Sequence, residues 1–116
     1  MASKFPFPKK VRLLRSADFD AVFRHQMFAA DDVLVMQAKP NGLAYNRLGL
    51  SVSKKAGNAV VRNAWKRRIR EAFRLQQHEL PTGLDLVVRP RKGAECSYQK
   101  VEKSLANLIH RVAKKV

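Results

Sequence analysis

Between Lys54 and Arg74 the chain carries Lys54, Lys55, Arg62, Lys66, Arg67, Arg68, Arg70 and Arg74 against a single acid, Glu71. Placed on a helix, Asn63, Lys66, Arg67, Arg70 and Arg74 gather on one face. Val61, Trp65, Ile69, Ala72 and Phe73 gather on another. Cations held along one rigid face can track a phosphate backbone. A merely solvated helix face mixes both signs, and this one hardly does. The chemistry on offer is phosphate recognition, not bond making or breaking.

No catalytic constellation accompanies the stripe. His25, His78 and His110 lie far apart, and without a Cys/His or clustered carboxylate pattern a structural zinc site is not expected. Paired acids, a nucleophile motif and a Gly-rich phosphate loop are all missing from the sequence. The lone Cys96 cannot form an internal disulfide, which fits a reducing cytoplasm, and no His or Asp pattern activates it. The chain alone is therefore expected to have no nuclease activity.

Composition agrees with a polyanionic partner. Twenty-four Lys and Arg against nine Asp and Glu leave +15 on 116 residues, and the sequence pI is about 10.8. Self-repulsion on that scale opposes compaction unless an anion answers it. A membrane surface is the rival anion, but no apolar run approaches a spanning length and no charged-then-apolar signal opens the chain. The length suits one domain over 1–116, and 46% apolar residues suffice for a modest core.

Two smaller groups could also meet nucleic acid. Phe19 and Phe23 lie four apart on one helix face. Core packing is the commoner fate of such a pair, and stacking on unpaired bases is the functional one. Phe19 is expected to be the freer ring, and Phe23, deeper in its helix, the partly packed one. Trp65, among the apolar positions of the basic helix, reads as core. Ser51 and Ser53 share a strand face and could supply small polar contacts. Ser53, Lys54 and Lys55 end one strand, and Arg89, Arg91 and Lys92 end a later one. The two clusters converge only if those strands are neighbours, which the sequence leaves open.

The elements that must position these groups follow from periodicity and punctuation. Residues 1–15 are basic, broken by Pro6 and Pro8, and read as an extended arm. Ser16 is a candidate N-cap for a short helix from Ala17 to about His25, with Asp18 and Asp20 in its first turn. Strands are expected at Val33–Lys39, before the turn cluster Pro40, Asn41 and Gly42, and at Leu48–Ser53. The basic helix should run from about Asn58 to His78. Pro81 and Gly83 then precede a strand at Leu84–Arg89. Ser97 is a candidate cap for a closing helix whose Val101, Leu105, Leu108, Ile109 and Val112 form one face. The result is an α+β two-layer sandwich in the order helix, strands, helix, strand, helix, with one sheet face able to stay open.

The stretch RLGLSVSKKAGNAVVRNAWKRRIREAFR closely resembles the signature of the bacterial ribonuclease P protein subunit. SADFDAVFRH is similar to that family's first helix with two spaced phenylalanines, GLDLVVRPRKGA to its last strand and basic turn, and SYQKVEKSLANLIHRV to its terminal helix. The resemblance implies the ribosomal protein S5 domain 2-like fold with a left-handed strand–helix–strand crossover, against the usual hand. It implies a cytoplasmic protein that binds, one to one, a large catalytic RNA and helps it remove the 5′ leader of precursor tRNA. The hydrolysis would belong to that RNA and its magnesium ions, and the protein would carry no cofactor of its own. By position, Arg62, Asn63, Lys66, Arg67 and Arg70 would face the catalytic RNA. Phe19, Phe23, Ser51, Ser53, Lys54 and Lys55, with Arg91 and Lys92 at the edge, would line a cleft for the single-stranded leader.

Two positions depart from the family pattern. Its Arg-Asn-Arg motif reads Arg62, Asn63, Ala64 here, with Arg67 and Arg68 as candidates to compensate, and Gln26 stands where glycine is common. Rival readings each lack a feature. A ribosomal or other structural RNA-binding protein explains the charge but not the aromatic pair together with strand-end lysines. A DNA regulator would read bases through a few polar residues on its helix. A protein-only nuclease would need clustered metal ligands.

Overall fold

Two seven-residue segments with alternating apolar residues build the centre of the sheet. In this computed structural model, which describes residues 9–116, β1 spans Met27–Ala30, β2 Leu34–Pro40, β3 Arg47–Leu50 and β4 Leu84–Pro90. β2 and β4 pair antiparallel, and their Leu34, Met36, Ala38, Leu84, Leu86 and Val88 are buried on one side. β1 joins β2 antiparallel and β3 joins β4 parallel, so the order is β1-β2-β4-β3. Parallel neighbours need a crossover. Here it is α2, Ala59–Gln76, lying between β3 and β4 in the chain.

The apolar side of the sheet is covered by α2 and by α3, Tyr98–Ala113. The whole apolar face of α3 (Val101, Leu105, Leu108, Ile109 and Val112) is buried, as are Trp65, Ile69, Ala72 and Phe73 of α2. Val61, at the exposed start of α2, falls outside this core.

The other side of the sheet carries the first helix, α1, Ser16–His25. Its Val22 is buried in a small second cluster with Leu13 and Val87, against which Phe19 packs. Register sorts this side into rows across the strands. Arg47, Asp85 and Lys39 form one row, Gly49, Val87 and Gln37 the next. The third holds Arg89 and Val35, with Ser51 alongside because its N–H bonds the Val88 carbonyl at 3.0 Å. α1 sits over the middle row and leaves the third accessible.

The first row holds a buried ion pair. The Asp85 carboxylate accepts from Arg47 Nε at 2.7 Å and Nη2 at 2.6 Å, and from Asn41 Nδ2 at 3.0 Å. This bidentate bond raises the Arg47 pKa above its usual value, against the opposing effect of burial. At the other end, Asp31 accepts from the Val33 and Leu34 N–H groups and from Ser104 Oγ, tying the β1–β2 turn to α3. Desolvation would raise the Asp31 pKa, but these bonds, the largest from Leu34, outweigh it and hold the carboxyl below its usual range.

Several expectations need correction. β1 was not expected. It has only four residues, two of them Ala, and no Gly or Pro introduces it. Arg15, not Ser16, occupies the N-cap of α1, and no side chain caps that end. Ser97 does stand at the N-cap of α3, again without a side-chain bond. β3 stops at Leu50, so Ser51 and Ser53 lie beyond the strand, and Ser53 Oγ accepts from the Lys55 N–H at 3.3 Å. The expected basic arm is corrected over its second half. Residues 1–8 lie outside the described residues, whereas Val11 and Leu13 are buried and Arg12 bridges to Leu48. The segment after residue 9 is therefore packed against β3.

Gln26 closes α1 with φ 59°, the left-handed conformation that glycine adopts without penalty. A β-carbon there costs on the order of 1 kcal/mol. Gln26→Gly should therefore raise stability by about 0.5–1 kcal/mol, measured by denaturant titration. A loss would mean that the Gln26 side chain contributes more than its backbone conformation costs.

Candidate nucleic-acid interface

The cationic helix begins at a built corner. Gly57, at φ 139°, turns the chain into α2, and a β-carbon there would meet Val61 at 2.9 Å. Asn58 Oδ1 caps the helix by accepting from the Val61 N–H at 3.0 Å. With the apolar residues of α2 fixed against α3 and the sheet, the polar face has no choice of direction. Asn63, Arg67 and Arg70 are exposed, while Arg62 and Lys66 are half-buried. Glu71, the single acid of the stripe, is taken by Arg74. Lys66, Arg67 and Arg70 have no acidic partner among the described residues. Arg62 Nε is buried with no hydrogen-bond acceptor among the described residues. Arg68 is tied back to its own helix through the Ala64 carbonyl at 3.4 Å. Of the two neighbours that could make up for Ala64, only Arg67 is directed outward.

The strand-end clusters do converge, because β3 and β4 are parallel neighbours and end at the same edge of the sheet. Their residues surround a hollow of about 580 Å³. Ser51, Ser53, Lys55, Arg89, Arg91 and Lys92 line it, over a floor that includes Val35, Ala56 and Trp65. Trp65 is 3% exposed, so it is core as expected and also the base of this bowl. Nothing in the sequence signals that second role, because it depends on where the turn after Lys55 lies. Lys54 is exposed but does not line the hollow.

The aromatic pair is placed in the reverse of the expected order. Phe19 lies on the sheet at Gly49, where a β-carbon would come within 2.7 Å of its ring. Phe23 is the freer ring, 39% exposed. The two centroids are 6.4 Å apart with planes tilted by 50°. Phe19 also borders a smaller hollow of about 130 Å³ with Arg12, Leu14, Lys66 and Arg70. The helix stripe and the aromatic ridge thus meet at the β3 edge. The bowl lies one residue pair further along the strands from Gly49, about 7 Å away. Stripe, rings and bowl form one continuous surface.

Among the described residues no group of three His, Cys, Asp or Glu could hold a metal ion, and no helix is long and apolar enough to cross a membrane. Strand-end cations, small hydroxyls and aromatic faces together suit an extended single strand of nucleic acid.

Known proteins resemble this chain in sequence and in fold. Residues 7–113 match the family model described as Ribonuclease P. The chain is 45% identical over 102 residues to the ribonuclease P protein component of Brevibacillus brevis, covering 86% of this chain and 81% of that one. It is 37% identical over 113 residues to the Photobacterium profundum counterpart, covering 97% and 96%. The Staphylococcus aureus RNase P protein structure superposes with a TM-score of 0.77 at 33% identity, over 90% of this chain and 95% of that one.

Proposed function

This chain belongs to the ribonuclease P protein family, and from that premise we propose how its one continuous surface divides the work. The α2 stripe of Arg62, Asn63, Lys66, Arg67 and Arg70 docks on the ribonuclease P RNA, chiefly through phosphates. The bowl of Ser51, Ser53, Lys55, Arg91 and Lys92, with Lys54 at its rim and Phe19 and Phe23 beside it, holds the single-stranded 5′ leader of precursor tRNA. One observation carries this reading: the parallel pairing of β3 and β4 brings two strand-end cation clusters around one hollow, next to an aromatic ridge.

In this division the protein supplies binding and orientation. Magnesium ions held by the RNA would supply the hydrolytic chemistry, namely an activated water and charge stabilisation at the leaving oxygen. The protein's cations lower the repulsion between leader and RNA, which favours substrate and metal binding together. One protein per RNA, working in the cytoplasm, completes the proposal.

The test is leader selectivity in the assembled enzyme. Lys55→Ala and Phe23→Ala should each weaken precursor-tRNA binding, the ring by about 1–3 kcal/mol, while mature tRNA binds as before. Phe23 should be the cleaner probe, because Phe19 is wedged against Gly49 and its removal also perturbs packing. Equal losses for precursor and mature tRNA would remove the leader from the bowl.

A further inference from the structure

Phe28 is the most exposed aromatic ring among the described residues, 56% accessible, although it sits in the middle of β1. In the register it opposes Gln37, on the α1 side of the sheet. Gln37 Oε1 accepts from Arg89 Nη1 at 3.3 Å, and Arg89 lines the bowl. From the end of α3, Lys115 Nζ donates to the Phe28 carbonyl at 2.6 Å and stands 5.8 Å from the ring centroid. The ammonium keeps two further donors. Arg111 Nη1 donates to the Ala30 carbonyl at 3.0 Å.

The plainer reading is edge protection. Lys115 and Arg111 cover the outward carbonyls of an edge strand and block its pairing with another chain. That accounts for the cations and not for the ring, since a large exposed apolar side chain on an edge strand favours the association that the cations oppose.

We infer that Phe28 and Lys115 form an additional position for single-stranded RNA, a stacking face beside a phosphate-binding ammonium, reached by leader nucleotides upstream of those in the bowl. The inference rests on the leader reading above. Three strand spacings separate β3 from β1, about 14 Å, which is roughly four nucleotides at stacked spacing. Arg89 and Gln37 bridge the interval. The occupant is a polyanion with flat bases, and a chain of net charge +15 offers its cations to no better partner.

The experiment compares precursor tRNAs carrying a long and a truncated leader, bound to the assembled enzyme. Phe28→Ala and Phe28→Leu should each weaken long-leader binding by about fivefold or more, and Lys115→Gln should weaken it as well. Truncated-leader and mature tRNA should be unaffected, and the melting temperature retained, because the ring is exposed. Unchanged long-leader affinity in these variants, with Lys55→Ala still harmful, would overturn this extension and leave the bowl in place. If Lys55→Ala and Lys92→Ala were also silent, the leader reading itself would fall. New self-association of Lys115→Gln, without a change in leader affinity, would assign the lysine to edge protection and refute the inference.

Discussion

Replacing Lys66, Arg67 and Arg70 together by Ala should weaken binding to ribonuclease P RNA by about two to three orders of magnitude at about 0.1 M salt. The estimate follows from counterion release. If about five phosphates are engaged, log K falls with log salt at a slope of roughly −3.5 to −4.5. Removing three contacts should flatten that slope by about two to three units. All three side chains project from a helix whose opposite face is anchored in the core by Trp65, Ile69 and Phe73, so the fold should persist. The measurement is a salt titration of affinity with wild type and variant, alongside their melting curves. An unchanged slope in a folded variant would put the RNA contact on another surface.

The largest stability effect should come from the buried ion pair. Asp85 is 4% exposed and bonds both Arg47 and Asn41. Asp85→Ala leaves the largely buried Arg47 guanidinium without its bidentate acceptor, while the Asn41 amide keeps only the Tyr45 carbonyl. Breaking such a pair costs about 3–5 kcal/mol, and denaturant unfolding reads the loss directly. Replacing both members of the pair by apolar residues of similar volume should cost much less, because no orphaned charge remains. A single-variant loss below about 1 kcal/mol would show that water reaches Arg47 freely. Asp85 lies two rows from Arg89 on the sheet, so the folded fraction should bind RNA normally.

How much of this was legible in the sequence depends on how local each feature is. The face of α3 could be read because its period is intrinsic to a helix, and all five of its apolar positions are buried. β1 could not be read, since Met27–Ala30 is too short for a period and the break before it is made by Gln26 in a glycine-like conformation. The cation clusters were visible as runs, but their convergence needed the parallel β3–β4 pairing, a long-range fact. The order of Phe19 and Phe23 was reversed because exposure depends on the phase of α1 against the sheet. Gly49 creates the notch that takes Phe19, and a lone glycine in a strand does not announce which ring will fill it. The resemblance to a family supplied what local patterns could not, and the comparisons bear out the family and the fold.

The most direct test of the central claim is reconstitution. A bacterial ribonuclease P RNA is incubated with precursor tRNA at magnesium too low for the RNA to act alone, with and without this protein. Restored removal of the 5′ leader on adding the protein, no cleavage by the protein without RNA, and a weaker rescue by the Lys66, Arg67, Arg70 triple variant are the results the account predicts. Cleavage by RNA-free protein after contaminating nuclease is excluded, or no rescue by folded wild-type protein, would contradict it.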